Sequence, residues 1–224
     1  MNRLCRLLAV LCLSVVTLRA DDYIRLSAEK FGLLPALQQK IELATFDGPL
    51  LARAIFHETN RVRTQLGLKR LKPWDKLDTA AETQASVGAL LRPPSHTNPF
   101  PMIATPLDRV KFAGADVKFV AENIANIPLQ YSPSDLIVLA TVNGRKQVLD
   151  GRSMEPLSNH TYASLAAAFV DAWMKSPGHR ANIVNAELTH LGCSSQPTKT
   201  VQEVDMVYAV QVFCTPKGRV RPPR

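Results

Sequence analysis

Ser176-Pro177-Gly178-His179-Arg180-Ala181-Asn182-Ile183 is the stretch on which the reading of this chain turns. Upstream of it, Tyr162, Ala166, Phe169 and Trp173 recur at helical spacing, which predicts an amphipathic helix over Thr161 to Lys175. Pro177-Gly178 stops that helix and turns the backbone, presenting His179 at a corner. Asn182 is expected to brace the turn. Two further segments are candidates to meet this corner. One is Ser95-His96, in a loop bounded by Pro93, Pro94, Pro99 and Pro101. The other is Glu122-Asn123, near the end of a strand read over Val117 to Ile124.

Outward from these segments, helices and strands are mixed. Asp47-Gly48-Pro49 opens a helix whose apolar face carries Leu51, Ile55, Val62 and Leu66, closed by Gly67. Glu58 falls on that face with Arg61 in reach at i+3, and Arg63 is read as a brace for a loop. Asp75 to Leu91 forms a second helix with a small-residue face of Ala81, Ala85 and Gly88, suited to close packing. Thr105-Pro106 caps a short third helix that ends at Gly114. Thr189 to Ser195 and Met206 to Phe213 are strands, the second apolar on both faces and therefore central. Before the last helix, Leu136 to Val142 and Lys146 to Leu149 flank Asn143-Gly144 and predict an inserted β-hairpin. The sum is α+β, with a sheet between helical layers.

The first twenty residues read as a targeting segment rather than as fold. Arg3 and Arg6 precede an apolar run from Leu7 to Leu18, and Leu18-Arg19-Ala20 suits cleavage. The rival reading, an uncleaved anchor, needs roughly 20 apolar residues, and the run is shorter. Leu11 before Cys12 is too large for a lipoprotein signal. The expectation is an exported protein, secreted or periplasmic, without a transmembrane anchor after cleavage. Loss of the three leader arginines takes the net charge from +8 to +5. No basic stripe interleaved with aromatics suggests nucleic acid, and the basic residues from Lys217 to Arg224 read as a solvated tail. Cys193 and Cys214 remain after cleavage, an even number in an oxidising compartment and both on strands, which predicts a disulfide between them; two buried free thiols are the other reading.

Taken in order, the motifs resemble one family. They are Asn60-x-x-Arg63, Gly67-Leu68, Leu71-x-x-Trp74-Asp75, Ser95-His96, Asp108-Arg109-Val110, Glu122-Asn123-Ile124-Ala125, Trp173-Met174-x-Ser176-Pro177-Gly178-His179-Arg180-x-Asn182-Ile183, Leu191-Gly192 and Tyr208 to Phe213. The set is similar to the CAP superfamily (cysteine-rich secretory proteins, antigen 5 and pathogenesis-related 1), and most similar to its bacterial SCP-like extracellular branch. The resemblance divides the chain into a signal peptide at 1–20, a lead-in at 21–48, a CAP domain at 49–215 with an insertion at about 128–160, and a tail at 216–224. It implies an α-β-α sandwich with a mostly antiparallel sheet and a broad cleft. His96 and His179 would face that cleft with Glu122, and zinc would be held by the two histidines. The family's second glutamate falls at Ser176, where bacterial relatives commonly carry serine, so the fuller acid–base set is absent.

Two functional expectations follow. In the first, the cleft binds an envelope, lipid or protein ligand without turnover. In the second, His96 and His179 hold Zn2+ and Glu122 is the general base of a peptide or cell-wall amide hydrolase. Ser176 as a nucleophile beside His179 has no Gly-x-Ser-x-Gly elbow behind it, and reads as a helix-end residue.

Overall fold

The computed structural model describes residues 23, 26–91, 94–134, 136–142, 145–199, 204–218 and 220. The expected leader at 1–20 and the Asn143-Gly144 turn lie outside them. Helix α1 (Ala28–Gly32) precedes two 3-10 turns, Pro35–Gln38 and Leu43–Thr45. The long helix α2 (Gly48–Gln65) starts where Asp47 accepts the Leu50 N–H, with Pro49 in its first turn. Short strand β1 (Lys72–Pro73) leads into α3 (Asp75–Gly88), and α4 (Pro106–Phe112) opens on a capping box of Thr105 and Asp108. Strand β2 (Val117–Pro128) is followed by the hairpin β3 (Ile137–Val142) and β4 (Arg145–Asp150). Helices α5 (Tyr162–Lys175) and α6 (Pro177–Val184) and strands β5 (His190–Lys199) and β6 (Asp205–Pro216) complete the chain.

The main sheet runs β1-β5-β6-β2, antiparallel except for the short parallel β1–β5 pair. Strand β6 is central and buried on both faces, which its continuous apolar sequence requires. Val207, Ala209 and Phe213 face α2 and α5, joining Leu51, Ile55, Phe169 and Trp173 in one core. Tyr208, Val210, Val212 and Cys214 face α3 and α4, joining Leu77, Ala81, Ala85 and Val110 in the other. These two cores make the α-β-α sandwich that the sequence predicts. Fully burying side chains the size of Phe169 or Trp173 contributes about 1.5–3 kcal/mol each. The small-residue face of α3 lets its backbone lie directly on β5. A Cβ at Gly192 would stand 2.2 Å from the Leu77 carbonyl carbon, so only glycine fits there.

The lead-in is not detached. Tyr23, Phe31, Leu37 and Ile41 are buried in the α2–α5 core. Tyr23 donates its hydroxyl to Asp47 at 2.8 Å, and the Asp47 N–H donates to the Tyr162 hydroxyl at 2.7 Å. The insertion folds as the expected hairpin, with Asp150 at its foot accepting from Ser132, Ser134 and Ser153. These donors hold the Asp150 carboxyl well below the usual range. No helix among the described residues is long and apolar enough to cross a membrane.

The structure corrects one expectation. Cys193 and Cys214 are both free and buried. The register pairs Cys193 with Gln211 and Cys214 with His190. An odd offset along a strand reverses the face, so Cys193 lies in the α2–α5 core and Cys214 in the α3–α4 core. The sheet itself stands between the thiols, and burial pushes both up, Cys214 to about 12. Pro177-Gly178 ends α5 as expected and also opens α6. Pro177 occupies the first position of α6, where its missing N–H costs nothing. His179 therefore sits in the first turn of a helix, at the corner between α5 and α6.

Candidate functional site

His96, Glu122 and His179 converge at the edge strand β2. Residues 122 and 123 are consecutive on that strand, so their side chains leave opposite faces of the sheet. Glu122 turns toward the α3–α4 layer and Asn123 toward the α2–α5 layer. Each holds one wall of the site.

The first wall is ionic. Glu122 is buried, and both its oxygens are engaged. Oε1 accepts from His96 Nδ1 at 2.9 Å, and Oε2 accepts from Arg109 Nη2 at 2.6 Å. The Arg109 guanidinium also donates to the carbonyls of Ile103, Ala104 and His96, tying the 95–104 loop to α4. The Arg109–Glu122 pair is desolvated on both sides (0% and 1% side-chain exposure), whereas the His96 side chain is 48% exposed. Because a carboxylate only accepts, His96 presents Nδ1–H to Glu122 and leaves Nε2 free of it. This is the arrangement in which a carboxylate orients a metal-binding histidine from behind. Gln84, whose amide donates to the Ser95 carbonyl at 2.8 Å, fixes the start of the same loop.

The second wall is a neutral amide network. Asn123 Nδ2 donates to the His179 carbonyl at 3.1 Å and to Gln211 Oε1 at 3.1 Å. Asn182 Nδ2 donates to Asn123 Oδ1 at 2.8 Å and to the Glu122 carbonyl at 3.3 Å. Gln211 in turn donates to Thr59 on α2 at 2.7 Å. Arg63, buried, clamps the far end of α6 through the carbonyls of Ile183 and Asn185. Helix α6 is thus held at both ends, with His179 in its first turn. Burial, then the neighbouring His96, lowers the His179 imidazole below its ordinary value, favouring the neutral ring that metals bind.

The two imidazole rings stand 6.5 Å apart, centre to centre, inclined at 52°. Two imidazoles on one tetrahedral zinc, with Zn–N near 2.0–2.1 Å, bring ring centres to about 5 Å. The observed ring centres stand wider apart than that. Glu122 approaches His96 from its Nδ1 side and its side chain is 1% exposed, so it backs the rings rather than standing beside them. Among the described residues no group of three or more His, Cys, Asp or Glu side chains is arranged to hold a metal. His96 and His179 are the two residues here whose imidazoles could hold a divalent ion.

Ser176 closes α5 and opens α6 through its backbone. Its N–H donates to the Trp173 carbonyl, and its carbonyl accepts from the Arg180 N–H. The remaining histidines lie elsewhere. His160 Nδ1 meets Ser164 Oγ at 2.8 Å and His190 Nδ1 meets Thr189 Oγ1 at 2.9 Å. His57 stacks on Phe31 with ring centres 4.5 Å apart, beside a cavity of about 400 Å³ between α1, α2 and α5. Burial, then the Arg53 and Arg70 cations, pushes His57 down to about 3. The residue that sequence reasoning passed over is Arg109. It was visible only inside Asp108-Arg109-Val110, and the apolar Val110 beside it was the one sign that this part of α4 faces inward.

The region from residue 56 to residue 213 matches the family model for the CAP domain, the cysteine-rich secretory protein family. The chain belongs to that family. No curated protein matches it. Among solved structures, an extracellular protein containing an SCP domain from Bacillus anthracis str. Ames is similar at 19% identity and a TM-score of 0.49, covering 75% of this chain and 41% of that one. An outer surface protein from Borrelia burgdorferi is similar at 19% identity and 0.48, covering 80% and 99%. Venom allergen-like protein 4 of Schistosoma mansoni is similar at 13% identity and 0.41, covering 78% and 94%. The chain spans about two fifths of the length of the Bacillus anthracis protein.

Proposed function

We propose that this chain is an exported binding module whose cleft recognises a cell-envelope ligand or partner protein, with His96 and His179 as its polar contacts. The single observation that carries this reading is the double engagement of Glu122, by His96 on one oxygen and by the buried Arg109 on the other. A general base must have the water or proton it accepts within hydrogen-bond reach. Glu122, with a side chain 1% exposed and a donor on each oxygen, is screened from such a water. The leader-like start, Arg3 to Ala20, supports export. The two imidazoles, with His96 oriented from behind by Glu122, are suited to a divalent ion such as Zn2+ held weakly and exchangeably. When bound, the ion supplies a Lewis-acid contact for a ligand oxygen or nitrogen.

Calorimetric titration of zinc into the metal-free protein tests this. Weak binding, lost in the His96→Ala/His179→Ala double variant, is expected, together with no turnover of peptides or peptidoglycan. Zinc-dependent cleavage of either substrate, abolished by Glu122→Gln, would overturn the binding reading in favour of a metal hydrolase.

A further inference from the structure

The hairpin carries an open strand edge. The Gly151 N–H donates to the Leu136 carbonyl at 2.9 Å, which makes 136 and 151 a hydrogen-bonded pair. Antiparallel alternation then assigns the β3–β4 bonds to the pairs 138–149, 140–147 and 142–145. The N–H and C=O groups of Ile137, Leu139 and Thr141 point the other way, away from β4. On β4 the corresponding outward groups are used. Asp150 donates to the Glu155 carbonyl and Val148 accepts from the Leu157 N–H, both at 2.9 Å. On β3 the outward groups have no hydrogen-bond partner among the described residues.

Proteins usually blunt such an edge with charge, proline or a bulge. Strand β3 reads Ile-Val-Leu-Ala-Thr-Val and has none of these. Its residues are the β-branched and aliphatic types that pair well, and Leu136, Val138, Leu139 and Val142 are exposed. The strand is also self-complementary. It carries no charge to face its like.

We propose that β3 pairs with β3 of a second copy of this chain, antiparallel about a two-fold axis through Leu139. Outward residues must face outward residues. A two-fold centred on Leu139 sets Ile137 against Thr141 of the other copy, and so pairs every open group on both strands. The product is a continuous sheet, β4-β3-β3-β4, with one isologous interface. The mode of recognition is strand addition, with affinity from the main chain and selectivity from the uncharged side chains.

Sedimentation over a hundredfold concentration range tests the pairing with two variants. Leu139→Pro removes only an outward N–H, because the β4 bonds belong to the neighbouring residues; proline is tolerated at such edge positions. Leu139→Lys places like charges on the two-fold axis. The wild type is expected to dimerise. Both variants are expected to weaken dimerisation at least tenfold with the far-UV spectrum and thermal midpoint unchanged. The lysine variant preserves the test if the proline disturbs the hairpin. A wild type that stays monomeric throughout, including one that pairs only with a foreign strand, overturns the proposal. A dimer that survives either substitution also overturns it.

Discussion

The two walls of the site solve the same problem with different chemistry. His96 is held by charge, in a line of imidazole, buried carboxylate and buried guanidinium. His179 is held by neutral amides, Asn182, Asn123 and Gln211, ending on Thr59. An ionic brace is costly to break, because removing one partner strands a desolvated charge on the other. An amide brace loses hydrogen bonds but strands only dipoles. The ionic wall is therefore the more fragile under substitution, although it positions the more exposed ring.

Arg109→Met is the sharpest way to break the comparison. It leaves the Glu122 carboxylate buried without its cation and frees the 95–104 loop. A loss of about 4 kcal/mol in denaturant stability is expected. A loss below about 1 kcal/mol would show the ionic wall to be dispensable. Asn123→Ala attacks the other wall and leaves the His179 carbonyl, Gln211 and Asn182 short of partners. About 2 kcal/mol is expected in the same measurement, with His179 displaced, and a shift of its imidazole NMR signals reads out that displacement. If Asn123→Ala costs more than Arg109→Met, the ordering of the two walls is reversed.

A third histidine sharpens the contrast, since His57 has neither kind of brace. Both its ring nitrogens are buried without a hydrogen-bond partner among the described residues, and its pKa is pushed down to about 3. The native protein therefore binds this proton less readily than the unfolded chain. Its contribution is fully present above about pH 6.5 and drains away as pH falls from there toward about 3. His57→Phe keeps the stack on Phe31 and removes the titration. Near pH 7 little change is expected. By pH 5 the variant is expected to be more stable than the wild type by about 1 kcal/mol, allowing for the partial exposure of the ring. Thermal midpoints across that pH range measure it, and parallel curves for the two proteins would remove His57 from the acid response.

Local pattern carried much of the fold. Helix α5 follows from the spacing of Tyr162, Ala166, Phe169 and Trp173, the hairpin from alternating apolar runs around Asn143-Gly144, and the central strand from Val207 to Phe213 with apolar residues on both faces. The ring pair and Glu122 were legible because loop proline and an ordered set of motifs marked them. Register was not legible. Whether Cys193 and Cys214 share a face depends on the offset between β5 and β6, which a distant pairing sets and no local pattern records. Proline was legible only in part for a related reason. Pro177 stops one helix and starts the next, and only the chain downstream decides between the two. Arg109 escaped because an arginine on a short helix ordinarily faces water, and its partner is 13 residues away on another element.

Adjacent residues on an edge strand look to opposite sides of the sheet, so His96 and His179 belong to different layers of the sandwich and meet only over β2. Their spacing acts as a caliper across the molecule. Any change that thickens or thins either layer, such as a core substitution at Leu77 on one side or Trp173 on the other, would be read out at the rings before any residue of the cleft had been touched. A ligand that draws the rings together would in turn tighten packing in both cores, one on each face of the sheet.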